Sequence, residues 1–177
     1  PQELYDHPVN LFVGGFIGSP AMNMLEATLE REDGTMKVVT GSQEIQLSEE
    51  TLSQRPALRG YEGRKVVLGI RPEDLEDHQL AGETAHGGTL EGTVTLREAL
   101  GAEIMVHFSV DAPPAFTADV KELAEDVGEA ERAEAHAGEG TAVIVGRFGA
   151  RSRVRPGDQV DVAVDTRQLH FFDVDTG

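Results

Sequence analysis

An arginine and two carboxylates stand at the end of a strand-like stretch, where exposed charged side chains can bind a ligand or transfer protons. Residues 66–68 read Val-Val-Leu, and two residues later the chain runs Arg71, Pro72, Glu73, Asp74. Pro72 has no backbone donor and disfavours a helical conformation at Arg71, so we expect the strand to stop there and expose Arg71 and Glu73. Taken alone, this turn is most simply a strand end capped by acidic residues.

Other residue types that support catalysis do not form a convincing constellation. The acid pairs Glu49–Glu50 and Glu73–Asp74 could serve a glycosidase-like reaction, although adjacent acids on turns are usually solvated. The six histidines form no i, i+4 pair, and the phosphate-binding pattern Gly-x-x-x-x-Gly-Lys-Ser/Thr is absent from the sequence. An enzymatic function is therefore the weaker hypothesis, and we keep it third. We predict no catalytic residue, metal site or bound cofactor in this chain.

Arginines offer a different chemistry, because a guanidinium group recognises anions through two parallel hydrogen bonds. The candidate anion contacts are Arg147, Arg151 and Arg153, together with Arg71. The alternative for each is a surface ion pair with one of the many carboxylates. This leaves a module that senses a sugar or an oxyanion as the alternative function.

Composition restricts the partners. The 177 residues carry 32 acidic and 15 basic side chains, a formal net charge of -17, which repels phosphate backbones and excludes nucleic acid as the expected partner. There is no cysteine, which fits a reducing interior, and no apolar run approaches the ~20 residues that span a bilayer. We therefore predict a cytoplasmic location. The first residue is Pro1 rather than Met, which suggests a piece of a longer protein.

Alternating apolar residues predict a mainly β fold. An Asp33-Gly34 pair between residues 24–29 and 36–40 indicates a hairpin, and Gly101 is expected to turn a second one. The remaining predicted strands contain Ile45 and Leu47, residues 66–70, 142–145, 160–164 and 169–172. Short strands with glycine-bearing turns suit a closed or partly closed barrel.

The other segments are predicted as helices or loops. Residues 1–20 form a short helix that ends before Gly18-Ser19-Pro20, and residues 117–139 begin with an amphipathic acidic helix. Residues 49–63 are expected to be a loop or a single helical turn, because Pro56 and Gly60 oppose anything longer. Residues 76–88 are expected to be a polar loop.

Five segments, in order, resemble one family. They read PQELYDHPVNLFV (1–13), FIGSPAMN (16–23), GIRPE (69–73), EALGAE (98–103) and LHFFD (169–173). The chain thereby resembles, nearly end to end, the C-terminal part of ATP-binding subunits of sugar ABC importers, the group that includes the maltose importer ATPase. Such ordered matches are more specific than any single motif.

The resemblance implies a domain organisation. Residues 1–20 would be the last helix of an ATPase domain and a linker, and residues 21–177 a regulatory domain on an OB-like (TOBE or MOP-like) β-barrel. A helical insertion at about 111–140 is longer than in the compact maltose-type domain, so a regulator's surface there would be covered or remodelled. The ATPase machinery, with its ATP and Mg, would belong to the parent protein.

The resemblance also implies partners and contact residues. The domain would be a non-catalytic regulatory and dimerisation unit, whose partners are a second copy, the parent ATPase domain, the membrane permease subunits and a regulatory protein or small effector. This places it at the inner face of the cell membrane. The candidate interface or regulatory residues are Arg71, Glu73, Glu98 and Gly101.

Overall fold

The computed structural model describes residues 22–82, 87–115 and 140–174. The helix and linker predicted at 1–20 and the acidic helix predicted at 117–139 lie outside these ranges. The strands are β1 (Asn23–Glu32), β2 (Thr35–Thr40), β3 (Gln43–Gln46), β4 (Lys65–Ile70), β5 (Leu75–Asp77), β6 (Gly87–Ala99), β7 (Glu103–Val110), β8 (Ala142–Gly149), β9 (Gln159–Asp165) and β10 (His170–Asp173). The helices are α1 (Glu49–Gln54) and α2 (His78–Ala81), with 3-10 turns at Pro56–Tyr61, Pro72–Asp74 and Thr166–Gln168.

The strands form two antiparallel five-stranded sheets around one core. The first sheet has the order β10-β4-β1-β2-β3 and the second β5-β9-β6-β7-β8. Leu25 and Val38 of the first sheet belong to the same buried cluster as Leu90, Phe108 and Phe148 of the second. Burial of this apolar surface is the main force that holds the sheets together. The predicted OB-like, mainly β fold is confirmed.

The two turn residues of the first hairpin determine the register between β1 and β2. Glu32 pairs with Thr35, so the turn consists of Asp33 and Gly34 alone. Both have positive φ, 53° and 80°, as a type I′ turn requires. The predicted hairpin is confirmed, and it places Leu25, Ala27 and Leu29 of β1 on the buried face.

The second sheet curls until its two edge strands meet. Glu76 of β5 accepts hydrogen bonds from the backbone N–H of Gly149 on β8, at 3.1 and 3.2 Å to its two carboxylate oxygens. A Cβ added at Gly146 would lie 3.3 Å from the Cβ of Leu75, a tight contact, so glycine at this position favours the close approach of β5 and β8. The result is a partly closed barrel, with the Glu76 side chain hydrogen-bonded between its edge strands β5 and β8.

One asparagine joins the two sheets. The side-chain amide of Asn23, at the start of β1, donates to the carbonyl oxygens of Ile70 (3.0 Å) and Val145 (2.9 Å). Its oxygen accepts from the backbone N–H of Val145 at 2.9 Å. The Asn23 side chain is buried, and it satisfies a buried carbonyl of β4 and partly buried polar groups of β8. The Asn23 side chain thus links the backbones of β4 and β8 by hydrogen bonds.

The segment after β7 crosses to the first sheet. Pro113 accepts from the N–H of Glu26 at 2.9 Å, and the N–H of Ala115 donates to Met24 at 3.1 Å. Gly41 permits this crossing, because its φ is +58° and an added Cβ would lie 2.2 Å from the carbonyl oxygen of Asp111. The chain therefore leaves the described structure at the edge of β1 and returns on β8.

Two segments contain more structure than their sequences predict. Residues 49–63 hold α1 and a 3-10 turn: Ser48 caps α1 by accepting from the N–H of Thr51 at 3.2 Å, and Pro56, which follows the end of α1, opens the 3-10 turn. Residues 76–88 were expected to be a polar loop, but they include the end of β5, α2 and the start of β6. Asp77 caps α2 through the N–H of Gln79 at 3.0 Å.

Candidate functional site

The Arg71–Asp74 turn is one of the covalent crossovers between the sheets. It follows β4 of the first sheet and leads directly into β5 of the second. Arg71 is extended, with φ -76° and ψ 144°, as expected for a residue before proline, and the N–H of Asp74 donates to the Arg71 carbonyl at 3.0 Å. The predicted end of the strand is confirmed.

The expected exposure of Arg71 is wrong. The residue is only 4% exposed, whereas Glu73 is exposed as expected. Arg71 is buried at the start of the turn, where its positive charge lowers the pKa of Asp74. Arg71 therefore holds the turn in place and offers little surface to a soluble anion.

Asp74 lies in an acidic cavity beside this turn. The cavity has a volume of about 200 Å³, and its lining includes Glu73, Glu76, Asp165 and Arg167. Burial raises the pKa of Asp74 to about 7, with further increases from the negative charges of Glu73 and Asp165, while Arg71 opposes them. At neutral pH this carboxyl is therefore partly protonated.

This pKa predicts a pH-dependent stability. In the unfolded chain Asp74 titrates near 3.8, and in the folded chain near 7, so between these values the folded state holds a proton that the unfolded state has lost. The free energy of unfolding should therefore fall as pH rises through this window. We expect Asp74→Asn to be more stable than the parent at pH 8 but not at pH 4, by at most roughly 4 kcal/mol. Urea unfolding at both pH values measures it, and an equal difference at the two would contradict the assignment.

The predicted anion contacts do not form one site. Arg147 lies on the outward side of β8, and its Nε is 3.5 Å from Glu103 of β7. Arg151 is exposed in the turn after β8. Arg153 lines a cleft of about 430 Å³ together with Asp77, Asp158 and Asp161. The carboxylates around Arg153 outnumber its single charge, so the cleft is a mixed polar surface and not an anion pocket.

The predicted contacts Glu98 and Gly101 lie at the end of the β6–β7 hairpin. The predicted turn at Gly101 is confirmed, with φ +82°. A register shift between Val94 and Leu96 marks a bulge, beyond which the residues of β6 are exposed. Leu96 and Leu100 are 44% and 56% exposed there. Two apolar side chains thus flank Glu98 on a solvent-exposed hairpin.

Two residues of the structure were not singled out from sequence, and a third, Asp74, was named only as part of the Arg71–Asp74 turn and its acid pair. Asn23 joins the sheets, Asp77 caps α2 while accepting from Ser152, and Asp74 has the raised pKa. The available signal for Asn23 was a polar residue directly before an alternating strand. Within the described ranges there is no group of three or more potential metal ligands and no helix long and apolar enough to cross a membrane.

Comparison with known proteins gives a consistent picture. The family model of the MalK OB fold domain matches residues 18–75, and that of the TOBE domain matches residues 68–130. Similar curated proteins include the trehalose/maltose import ATP-binding protein MalK of Thermococcus litoralis, 37% identical over 100% of this chain and 39% of that protein. The trehalose import ATP-binding protein SugC of Mycobacterium tuberculosis is 36% identical over 100% of this chain and 42% of that protein. The oligosaccharides import ATP-binding protein MsmX of Bacillus subtilis is 32% identical over 99% and 39%, respectively.

The two sheets and the partly closed barrel define an OB-like β domain of the TOBE type. The chain spans about two fifths of the length of the curated relatives it matches. It belongs to the family of TOBE/OB domains that form the C-terminal part of ATP-binding subunits of sugar ABC importers.

Proposed function

We propose that this chain is a non-catalytic regulatory and dimerisation domain of a sugar importer's ATP-binding subunit. The observation that carries the proposal is the exposed β6–β7 hairpin, where Leu96 and Leu100 flank the predicted contact Glu98. Apolar side chains exposed together on a rigid hairpin favour burial against another protein surface. The family motif EALGAE supplies this hairpin, which links the contact surface to the family.

The rest of the proposal follows from the family. ATP and Mg would act in the ATPase domain of the parent protein, and the parent would contact membrane permease subunits at the inner face of the cell membrane. The formal net charge of -17 argues against nucleic acid as a partner. The acidic cavity at Asp74 supports no glycosidase-like reaction, because about 200 Å³ is below the volume of roughly 300–1,000 Å³ that small-molecule sites use.

Self-association provides the test. We expect the chain to form a concentration-dependent dimer, and the double variant Leu96→Gln/Leu100→Gln to weaken it about tenfold or more, because the apolar area buried in the contact is lost. Sedimentation velocity over a concentration series measures both. Val174→Gln is the matched control, since Val174 is 43% exposed but lies just after β10 of the other sheet. A strict monomer at high concentration would contradict the proposed dimer, and ATP hydrolysis by this chain would contradict the proposed non-catalytic role.

A further inference from the structure

A polar cleft lies where β5 ends and β9 continues. Pairing between these strands stops at Asp77–Val162, but β9 extends to Gln159, so in the described ranges residues 159–161 have no strand on that side. The space, about 430 Å³, is bordered by α2 and by the loop that contains Arg153. This volume falls within the range of small-molecule sites, roughly 300–1,000 Å³.

The end of the cleft at α2 is held in one geometry. Asp77 is 5% exposed, and its Oδ2 accepts from the Ser152 hydroxyl at 2.6 Å, while its Oδ1 accepts from the Gln79 N–H at 3.0 Å. Ser152 is also buried, and its N–H donates to Gly149 at 3.0 Å. The loop carrying Arg153 is thereby fixed to the start of α2. Such preorganisation reduces the entropy lost when a ligand binds.

The residues that line the cleft supply both hydrogen-bond donors and hydrogen-bond acceptors. Arg153 supplies a guanidinium group, Asp161 a carboxylate, and Gln79 and His78 groups of both kinds. Gln159 is oriented by donation from its Nε2 to Thr93 at 2.9 Å, which leaves its carbonyl oxygen as an acceptor. Asp158 accepts from the N–H of Arg155 at 3.0 Å, so part of its capacity is used.

This arrangement selects among ligand classes. An anion would meet Arg153 but would also face the carboxylates of Asp77, Asp158 and Asp161. A cation would be repelled by the Arg153 guanidinium and would offer no acceptor to its N–H groups. A hydroxyl group both donates and accepts, so neighbouring hydroxyls can satisfy both kinds of group at once.

We propose that the cleft between α2, β9 and the Arg153 loop binds a neutral, polyhydroxylated small molecule. This inference goes beyond the proposed dimerisation role and does not depend on it, because the lining contains no residue of the β6–β7 hairpin. It also replaces the earlier hypothesis that Arg153 contacts an anion: the same guanidinium donates to hydroxyl oxygens.

The test is an NMR titration of the whole ¹⁵N-labelled chain. The probes are glucose and trehalose for neutral polyols, sodium sulfate for anions and putrescine for cations, at constant ionic strength. We expect saturable shifts at the amides of residues 77–79, 153–155 and 157–161 with at least one polyol. Asp161→Ala and Gln159→Ala should each weaken that binding about tenfold through the loss of hydrogen bonds, whereas Arg155→Ala, in the adjacent turn, should leave it unchanged.

Several results would overturn the proposal. No saturable shift with either polyol would do so, as would tighter binding of sulfate or putrescine at these amides. Unchanged polyol affinity in both cleft variants would show that the ligand binds elsewhere. Sedimentation of the same variants separates this result from the dimer proposal, because Asp161→Ala should leave self-association as in the parent.

Discussion

Asn23→Ala should lower the free energy of unfolding by about 3 kcal/mol. The truncation removes three hydrogen bonds and leaves the N–H and carbonyl of Val145 and the carbonyl of Ile70 without their side-chain partner. An unsatisfied buried polar group costs about 1–3 kcal/mol, and the loss is felt by both sheets. Urea unfolding at pH 7 measures it.

Two variants control this experiment. Thr95→Ala removes an exposed strand hydroxyl that donates to His107 at 3.2 Å, and it should change stability by less than about 0.5 kcal/mol. Asn23→Asp keeps an acceptor for the Val145 N–H but, when ionised, cannot donate to the two carbonyls. Burial raises the folded-state pKa of such a carboxyl, so stability of this variant should increase as pH falls. Parent-like stability of Asn23→Ala would contradict the role assigned to this side chain.

Arg71→Ala should be the second large loss, about 2–4 kcal/mol, because it leaves a cavity in the crossover turn and removes the positive charge that offsets the carboxylates around Asp74. The loss of positive charge should also raise the pKa of Asp74 further, since Arg71 is the group that lowers it. Urea unfolding gives the first effect, and carboxyl ¹³C NMR over pH 5–9 gives the second.

Glu73→Ala is the matched control for Arg71→Ala, because Glu73 lies two residues away in the same turn but is exposed. It should leave stability nearly unchanged while slightly lowering the pKa of Asp74, because Glu73 contributes to its increase. If Arg71→Ala instead unfolds no more easily than Glu73→Ala and only weakens self-association, the original interpretation of Arg71 as a contact residue would be restored.

The strands could be predicted because their signals are local. Alternation along β1 and the Asp33-Gly34 pair determine a hairpin without knowledge of distant residues, and Gly101 does the same between β6 and β7. The family resemblance rested on ordered motifs, and the matches to the MalK OB fold and TOBE models confirm it.

The chemistry of individual side chains could not be predicted, because it depends on contacts between distant segments. Arg71 looked exposed because Pro72 ends the strand, yet the crossover between sheets turns its side chain inward. Asp77 and Ser152 are 75 positions apart, and no local pattern indicates that they share a hydrogen bond. The pKa of Asp74 depends likewise on Asp165, which is the last residue of β9.

The crossing segment after β7 makes the domain suitable for grafting. The N–H of Ala115 is bonded to the edge of β1, and Ala142 opens β8, so the stretch 116–139 starts and ends at fixed points on different sheets. The strand pairs described for the two sheets all lie outside this stretch, so we expect an exchange of sequence there to leave them in place. A fluorescent reporter or an affinity peptide inserted there would report on the domain within its parent protein while the barrel stays intact.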